Sequence, residues 1–559
     1  MNRLSFLSLC ALLSIGCGAE LNTPALPGCQ LDSECAANQV CFPLQGCGDP
    51  GGGLVVEVQG NTRTGQLAQD FPIGDGGFSP VIDFNLLPAS LVGEFLRDSA
   101  IYANTVTVRV RGQSELIPGI VRSYQATFAK PERGTYSLPV GAGHYVVTAE
   151  AEDAAVPPVA KGISAGLGTN ASLSFAFAAT DKTIALTGRL LKRIEPGPSS
   201  IEIPVQAAMD VQAIDPVTLL PLSQRARVSI TNGDFFLFVA PEAAALGVFN
   251  VVATPRDPNS LVPSKTFEIR LPLDAQIRLQ LGEFGDPLPQ LQGDLKTTAG
   301  IAVAGASVYL EGPVNGGGTF RSAGVITDAR GVFRVDLLPS PSDGSYLLTA
   351  LPPPNSAAGV VRKQVRAISR TGEVPYLQVL GTSENPTTVV CPDKITVIGG
   401  LTRPGGVLPA AGVSVVAHAV DQLKELGNQP LPMGDSVTVT NENGHFALEL
   451  DPGVYQVDFI PGEDLPRTSR VVTVRAEGGS SADAGLPSRT VDLKDFQLRK
   501  GRKVTGNVTA PTANGPGAAV NATVRYFRVS AVGGITTSLL LGDALTDDLG
   551  NYSVMLPSK

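Results

Sequence analysis

Five times along the 559-residue chain a glycine, one spacer and an aromatic residue open a run in which apolar and polar side chains alternate. The glycines are Gly134, Gly233, Gly331, Gly444 and Gly550, spaced 99, 98, 113 and 106 positions apart. In the fourth run Phe446, Leu448 and Leu450 share one face and Ala447 and Glu449 the other. After Asp451-Pro452-Gly453 a second run sets Tyr455, Val457 and Phe459 against Gln456 and Asp458. A period of two in aromatic and branched residues marks half-buried strands. Pro452 presets φ for a turn and Gly453 can take a positive φ, so the pair of runs is expected to be a β-hairpin. A repeat near one hundred residues is one small domain each time.

A second marker keeps the same period. LTGRL, LQGDL, VIGGL and VTGNV centre on Gly188, Gly293, Gly399 and Gly506, spaced 105, 106 and 107 apart. AGASVYL, AGVSVVA and AAVNATVRY follow three of them as further alternating strands, while the second unit has PVQAAMDVQAID in that place. Only Ala89 to Ser99 and Gln422 to Leu426 hint at helix. The class is therefore all-β.

The order of these strands resembles the carboxypeptidase regulatory-like domains, which stand close to transthyretin-like and CnaB-like β-sandwiches. The likeness is good over 183 to 559 and loose over 54 to 182. It implies tandem Greek-key, prealbumin-like sandwiches in a beads-on-a-string array, with accessory or structural roles. The Lys–Asn crosslink of CnaB-like domains is not carried over, because no such pair with a carboxylate recurs. The expected division is 54–182 (divergent), 183–288, 289–394, 395–500 and 501–559. The fifth unit lacks a second Gly-x-aromatic strand and is expected to be incomplete: an open edge, a strand from a partner and a clipped sequence are the alternatives.

Arg3 and an apolar run from Leu4 to Ile15 read as a secretory signal over 1–16, too short to span a bilayer. The ending LSIGC resembles the lipobox of bacterial lipoproteins, which makes Cys17 the lipidation candidate. Gly18 in place of Asp then implies the outer membrane. The stem, 17–53, carries Cys29, Cys35, Cys41 and Cys47 six positions apart. In an exported chain these are disulfide candidates with three connectivities open; a four-cysteine zinc site would prefer closer pairs. Cys391 is left over and is expected to be a buried thiol at a domain junction.

The net charge of −9 is spread without long runs, and no basic stripe accompanies the aromatics, which argues against nucleic acid. Gly162 to Gly166 matches G-x-S-x-G around Ser164, yet no helix pattern follows it, and of the three histidines only His144 lies in the same unit. No histidine has zinc-ligand spacing, and no phosphate-binding glycine loop occurs. The oxygen-rich stretches at Asn441 to Gly444 and Asp547 to Asn551 read as Asx turns rather than calcium loops. Catalytic, cofactor and metal sites are thus all expected to be none. The functional expectation is a non-enzymatic, lipid-anchored scaffold or adhesive protein of the cell envelope. Its expected partners are the membrane, through the anchor, and a protein or polysaccharide ligand. A carbohydrate- or peptidoglycan-binding lipoprotein is the alternative; the chain has no Trp for a stacking platform.

Overall fold

A computed structural model describes residues 29–558 except 30–31, 38, 44, 50–52, 61–65, 72–80, 87–88, 167–168, 194–200, 258–261, 263, 273–275, 284–289, 314–318, 337–344, 355, 369–374, 381–386, 422–431, 463, 476–489, 513 and 533–534. Cys17 and the helix hint at Gln422 to Leu426 lie outside the described residues. Nearly all of the regular structure among the described residues is strand, organised as successive β-sandwiches behind a small disulfide-bonded module; in the third unit the strands join into one nine-stranded sheet. No helix among the described residues is long and apolar enough to cross a membrane.

The two sequence markers meet in one structural device. Gly93, Gly188, Gly293, Gly399 and Gly506 lie directly across the ladder from Tyr136, Phe235, Phe333, Phe446 and Tyr552. In four of the five, the aromatic ring covers the glycine so closely that a Cβ would come within 3 Å of it. Two residues further on, the carbonyl of Leu190, Leu295, Leu401 or Val508 faces the glycine that opens the aromatic strand. That second glycine has φ between 75° and 80° in these four units, a left-handed conformation that other residues adopt only with strain. Its own carbonyl accepts a hydrogen bond from the N–H of the same leucine or valine at 2.8–2.9 Å. Both glycines are therefore required by close approach, one of ring to backbone and one of backbone to backbone.

The paired runs are not hairpins. His445–Leu450 pairs with Ile395–Thr402, while Gly453–Ile460 pairs with Ser414–Asp421 and Thr468–Val474 in the opposite sheet. The chain crosses the core between them as an arch, and Gly453 begins the second strand without a positive φ. The same crossing joins Thr135–Val140 to Gly143–Ala151 and Asp234–Val239 to Val248–Pro255. Alternation had located the inward faces, and two such faces can meet across a core as well as side by side.

Ala89–Arg97 is a strand, not a helix, and pairs with Thr135–Val140. Leu91 and Phe95 are fully buried four residues apart, and between them Gly93 presses against the Leu173 carbonyl. The missing side chain at the middle inward position hides the period of two and leaves what looks like a helical spacing.

The stretch expected as one divergent sandwich at 54–182 is divided between two bodies. Ala89–Arg97 through Phe175–Phe177 form the first sandwich. Leu54–Gln59 instead inserts between Gln66–Phe71 and Thr523–Val532, and Phe84–Asn85 pairs with Gly501–Thr512. Leu54, Val56, Val58, Ile82, Phe84 and Leu86 share one core with Val504, Val524, Tyr526, Leu541 and Tyr552. The last unit thus obtains its missing strands from residues 54–86 of its own chain. Residues 89–498, which hold the other four sandwiches, are an insertion between its two parts.

Candidate functional site

The disulfide module is built onto the last sandwich. Cys29 pairs with Cys41 and Cys35 with Cys47, one of the three connectivities open from sequence. Asp32 accepts two hydrogen bonds from Arg499, at 2.9 and 2.7 Å, and one from the Cys41 N–H at 2.7 Å. Phe42 is completely buried in the core of the last sandwich, with the Arg528 guanidinium 3.6 Å from its ring centroid and Arg499 at 5.5 Å. Burial lowers Arg528 to about 10, with Asp49 opposing that shift. Gln45 Nε2 donates to the Arg528 and Thr537 carbonyls. The disulfide module is therefore docked on the last sandwich rather than standing free of it.

A cleft lies between the first and last sandwiches. Within Leu54–Gln59 every residue but Gln59 is buried: Leu54, Val56 and Val58 enter the core, and Val55 and Glu57 face the first sandwich. Val55 packs with Ile117 and Phe527, and Ser538 Oγ donates to the Pro118 carbonyl at 2.7 Å. Beside this contact Arg122 Nη2 reaches Glu57 Oε1 at 2.5 Å, with side chains 5% and 3% exposed. Ser114 Oγ accepts from Arg122 at 3.3 Å and Arg525 Nη1 lies 3.7 Å from Glu57 Oε2. Burial alone would lower the Arg122 guanidinium, but the charge of Glu57, with Tyr124, carries it above its ordinary value. Over this pair opens a cleft of about 560 Å³, walled by Val121–Phe128 and Thr135–Val140 on one side and by Gln59 and Arg525 on the other.

The residues singled out from sequence have local partners. Ser164 lies in the strand Val159–Ala165, directly across from His144, whose Nδ1 is 2.7 Å from the serine Oγ. The pair is exposed on the sheet surface, Ser164 is not on a strand-to-helix turn, and no carboxylate hydrogen-bonds to His144 among the described residues. A nucleophile there would lack both an orienting acid and a fixed oxyanion site. Asn441 Oδ1 accepts from the N–H groups of Asn443 and His445, and Asp547 Oδ1 from Leu549 and Asn551, so both are Asx turns. Asp328 makes the same turn in the third unit. The preceding Thr327, Thr440 and Thr546 each bridge a backbone N–H and a carbonyl of the neighbouring strand connection. Thr-[Asp/Asn]-x-x-Gly is a recurring signal that could have been read from the sequence and was missed.

Cys391 is fully buried where the third and fourth sandwiches meet. Burial, and then the nearby Asp451 carboxylate, push its thiol up to about 12, which leaves it a poor nucleophile. Asp451 itself crosses the junction, accepting the Val360 N–H at 2.8 Å.

No family model and no curated protein matches the chain. Among solved structures, a streptococcal ancillary pilin overlaps 54% of this chain and 98% of its own, at 13% identity and a TM-score of 0.18. The pilus adhesin SpaC from Lactobacillus rhamnosus GG overlaps 71% of this chain and 57% of its own, at 10% identity and a TM-score of 0.15. The Bacillus anthracis TIE protein overlaps 72% and 70%, at 11% identity and a TM-score of 0.15. Scores this low carry no argument about function, and the all-β assignment stands on the strand pairing described above.

Proposed function

We propose that this chain is an exported, non-enzymatic scaffold or adhesive protein of the bacterial cell envelope, held at the outer membrane by acyl chains on Cys17. The observation that carries the reading is the disulfide module seated on the last sandwich. Disulfides of this kind belong to an oxidising compartment. Their docking makes the anchor-proximal segment part of a folded body. An anchor at Cys17 would hold that body near the lipid surface, while the four inserted sandwiches present loops and strand edges away from it. Partners are then envelope proteins or polysaccharides, met through several modules at once, so that weak contacts add up.

The test is metabolic labelling with an alkyne fatty acid in a Gram-negative host, followed by membrane fractionation of the full-length chain and of Cys17→Ala. Labelled protein in the outer-membrane fraction is expected for the parent, and unlabelled protein that leaves the membrane for the variant. Equal partitioning of both chains without label would overturn the anchor.

A further inference from the structure

The two disulfide bonds of the stem module lie against each other. The Sγ atoms of Cys29, Cys35 and Cys47 are all within 4.8 Å of one another, so Cys29, bonded to Cys41, is a neighbour of both sulfurs of the Cys35–Cys47 bond. Burial separates the two bonds. Cys29 and Cys41 are 8% and 1% exposed, whereas Cys35 is half-buried and Cys47, on the short strand Gly46–Gly48, is exposed. A thiolate in solution therefore meets Cys47 first, and the buried bond is reached from inside the module. The backbone that carries these sulfurs has other supports. Asp32 holds Arg499 and the Cys41 N–H, Phe42 is sunk in the core, and Cys41 stands opposite Cys47 on their ladder.

We propose that the two bonds form one exchange site for thiols, in which opening of the Cys35–Cys47 bond is passed on to the Cys29–Cys41 bond. An external thiolate attacks Cys47 Sγ, forms a mixed disulfide there and releases Cys35 as a thiolate. Cys35 then attacks Cys29 Sγ, the near sulfur of the buried bond. A Cys29–Cys35 bond forms, the Cys29–Cys41 bond breaks, and Cys41 leaves as a thiolate that takes up the proton given up by the external thiol. Two disulfides and one thiol enter, and two disulfides and one thiol leave, so no oxidant or reductant is consumed. The new bond closes residues 29–35 into a loop that contains Asp32, whose carboxylate holds Arg499 between Thr490–Gln497 of the fourth sandwich and Gly501–Thr512 of the last. Exchange thus acts on the joint between those two bodies. The inference goes beyond the scaffold reading and holds whether or not Cys17 is acylated.

Alkylation and peptide mapping of the full chain test it, in a background carrying Cys10→Ala and Cys17→Ala so that Cys391, fully buried, is the only cysteine outside the module. Cys47→Ser then leaves Cys35 as a free thiol beside the intact Cys29–Cys41 bond. The oxidised monomer is held at about pH 8.5, where an ordinary thiol is half ionised, then alkylated with iodoacetamide and mapped by mass spectrometry. Label at Cys41 together with a Cys29–Cys35 bond is expected. Label confined to Cys35, or moved to Cys29, would overturn the proposal. The chain with all four module cysteines, treated with reduced glutathione, asks the same question and serves if Cys47→Ser is unstable. Its expected product carries glutathione at Cys47 and the alkyl label at Cys41; glutathione at Cys47 with the label at Cys35, or no adduct at Cys47, would equally overturn the exchange.

Discussion

A chain that begins at residue 89 is expected to lose its last sandwich while keeping the other four. Removing Leu54, Val56, Val58, Ile82, Phe84 and Leu86 takes six fully or nearly fully buried side chains out of the core formed with Val504, Val524, Tyr526 and Tyr552. At about 1.5–3 kcal/mol for each large apolar side chain, the six losses together match or exceed the roughly 5–15 kcal/mol of net stability that a domain holds. Thr523–Val532 would also lose its whole ladder to Leu54–Gln59, and the Tyr552 hydroxyl its bond to the Ile82 carbonyl at 2.7 Å. Hydrogen exchange should therefore show 501–557 unprotected in the truncated chain and protected in the parent, with the first four sandwiches alike in both. Adding residues 29–86 as a separate oxidised fragment should restore protection. Protection that survives the truncation would mean that the last sandwich does not need these strands.

The second large effect is expected at the buried ion pair. Arg122→Ala leaves the Glu57 carboxylate, 3% exposed, facing only Arg525 at 3.7 Å. Breaking a buried pair by removing one partner costs about 3–5 kcal/mol, whereas replacing both partners by apolar groups of similar volume is about neutral. Arg122→Ala should thus speed exchange along Val121–Phe128 and Leu54–Gln59, and the double variant Arg122→Met with Glu57→Leu should return most of it. Local exchange is the appropriate measure, since a chain of several sandwiches does not unfold as one two-state unit. Equal, small effects of the single and double variants would show that water reaches the pair and that the two sandwiches do not close over it.

How far the sequence could be read follows from what alternation encodes. A period of two marks which side chains turn inward, so Phe446, Leu448, Leu450, Tyr455, Val457 and Phe459 were all placed in the core, where they lie. It carries no information on which strand is the neighbour. For that reason the runs around Asp451-Pro452-Gly453 look like a hairpin and are an arch. The same gap explains the last unit. Leu54, Val56 and Val58 alternate plainly, but their partners on Thr523–Val532 are more than 460 positions away, and nothing local distinguishes a strand that serves the next sandwich from one that serves the last. Gly93 shows the opposite failure, where one absent side chain erased the period. The two glycine markers were visible as a repeat, whereas their meaning, a ring lying over one glycine and a carbonyl pressed on the other, needed the cross-strand register. The cleft was invisible for a related reason. Glu57, Arg122 and Arg525 belong to three separate stretches, and none has a motif around it.

The claim on which the account depends is that residues 54–59 lie beside residues 523–528 of the same chain. Gln59 and Thr523 are directly opposed across that ladder. The most direct measurement is disulfide trapping in the full chain carrying Gln59→Cys and Thr523→Cys, oxidised under dilute conditions and mapped by peptide mass spectrometry on the monomer fraction. The account predicts an intramolecular bond joining the two positions in nearly every monomer. Monomers in which both cysteines stay reduced, or a bond found only between two chains, would contradict it.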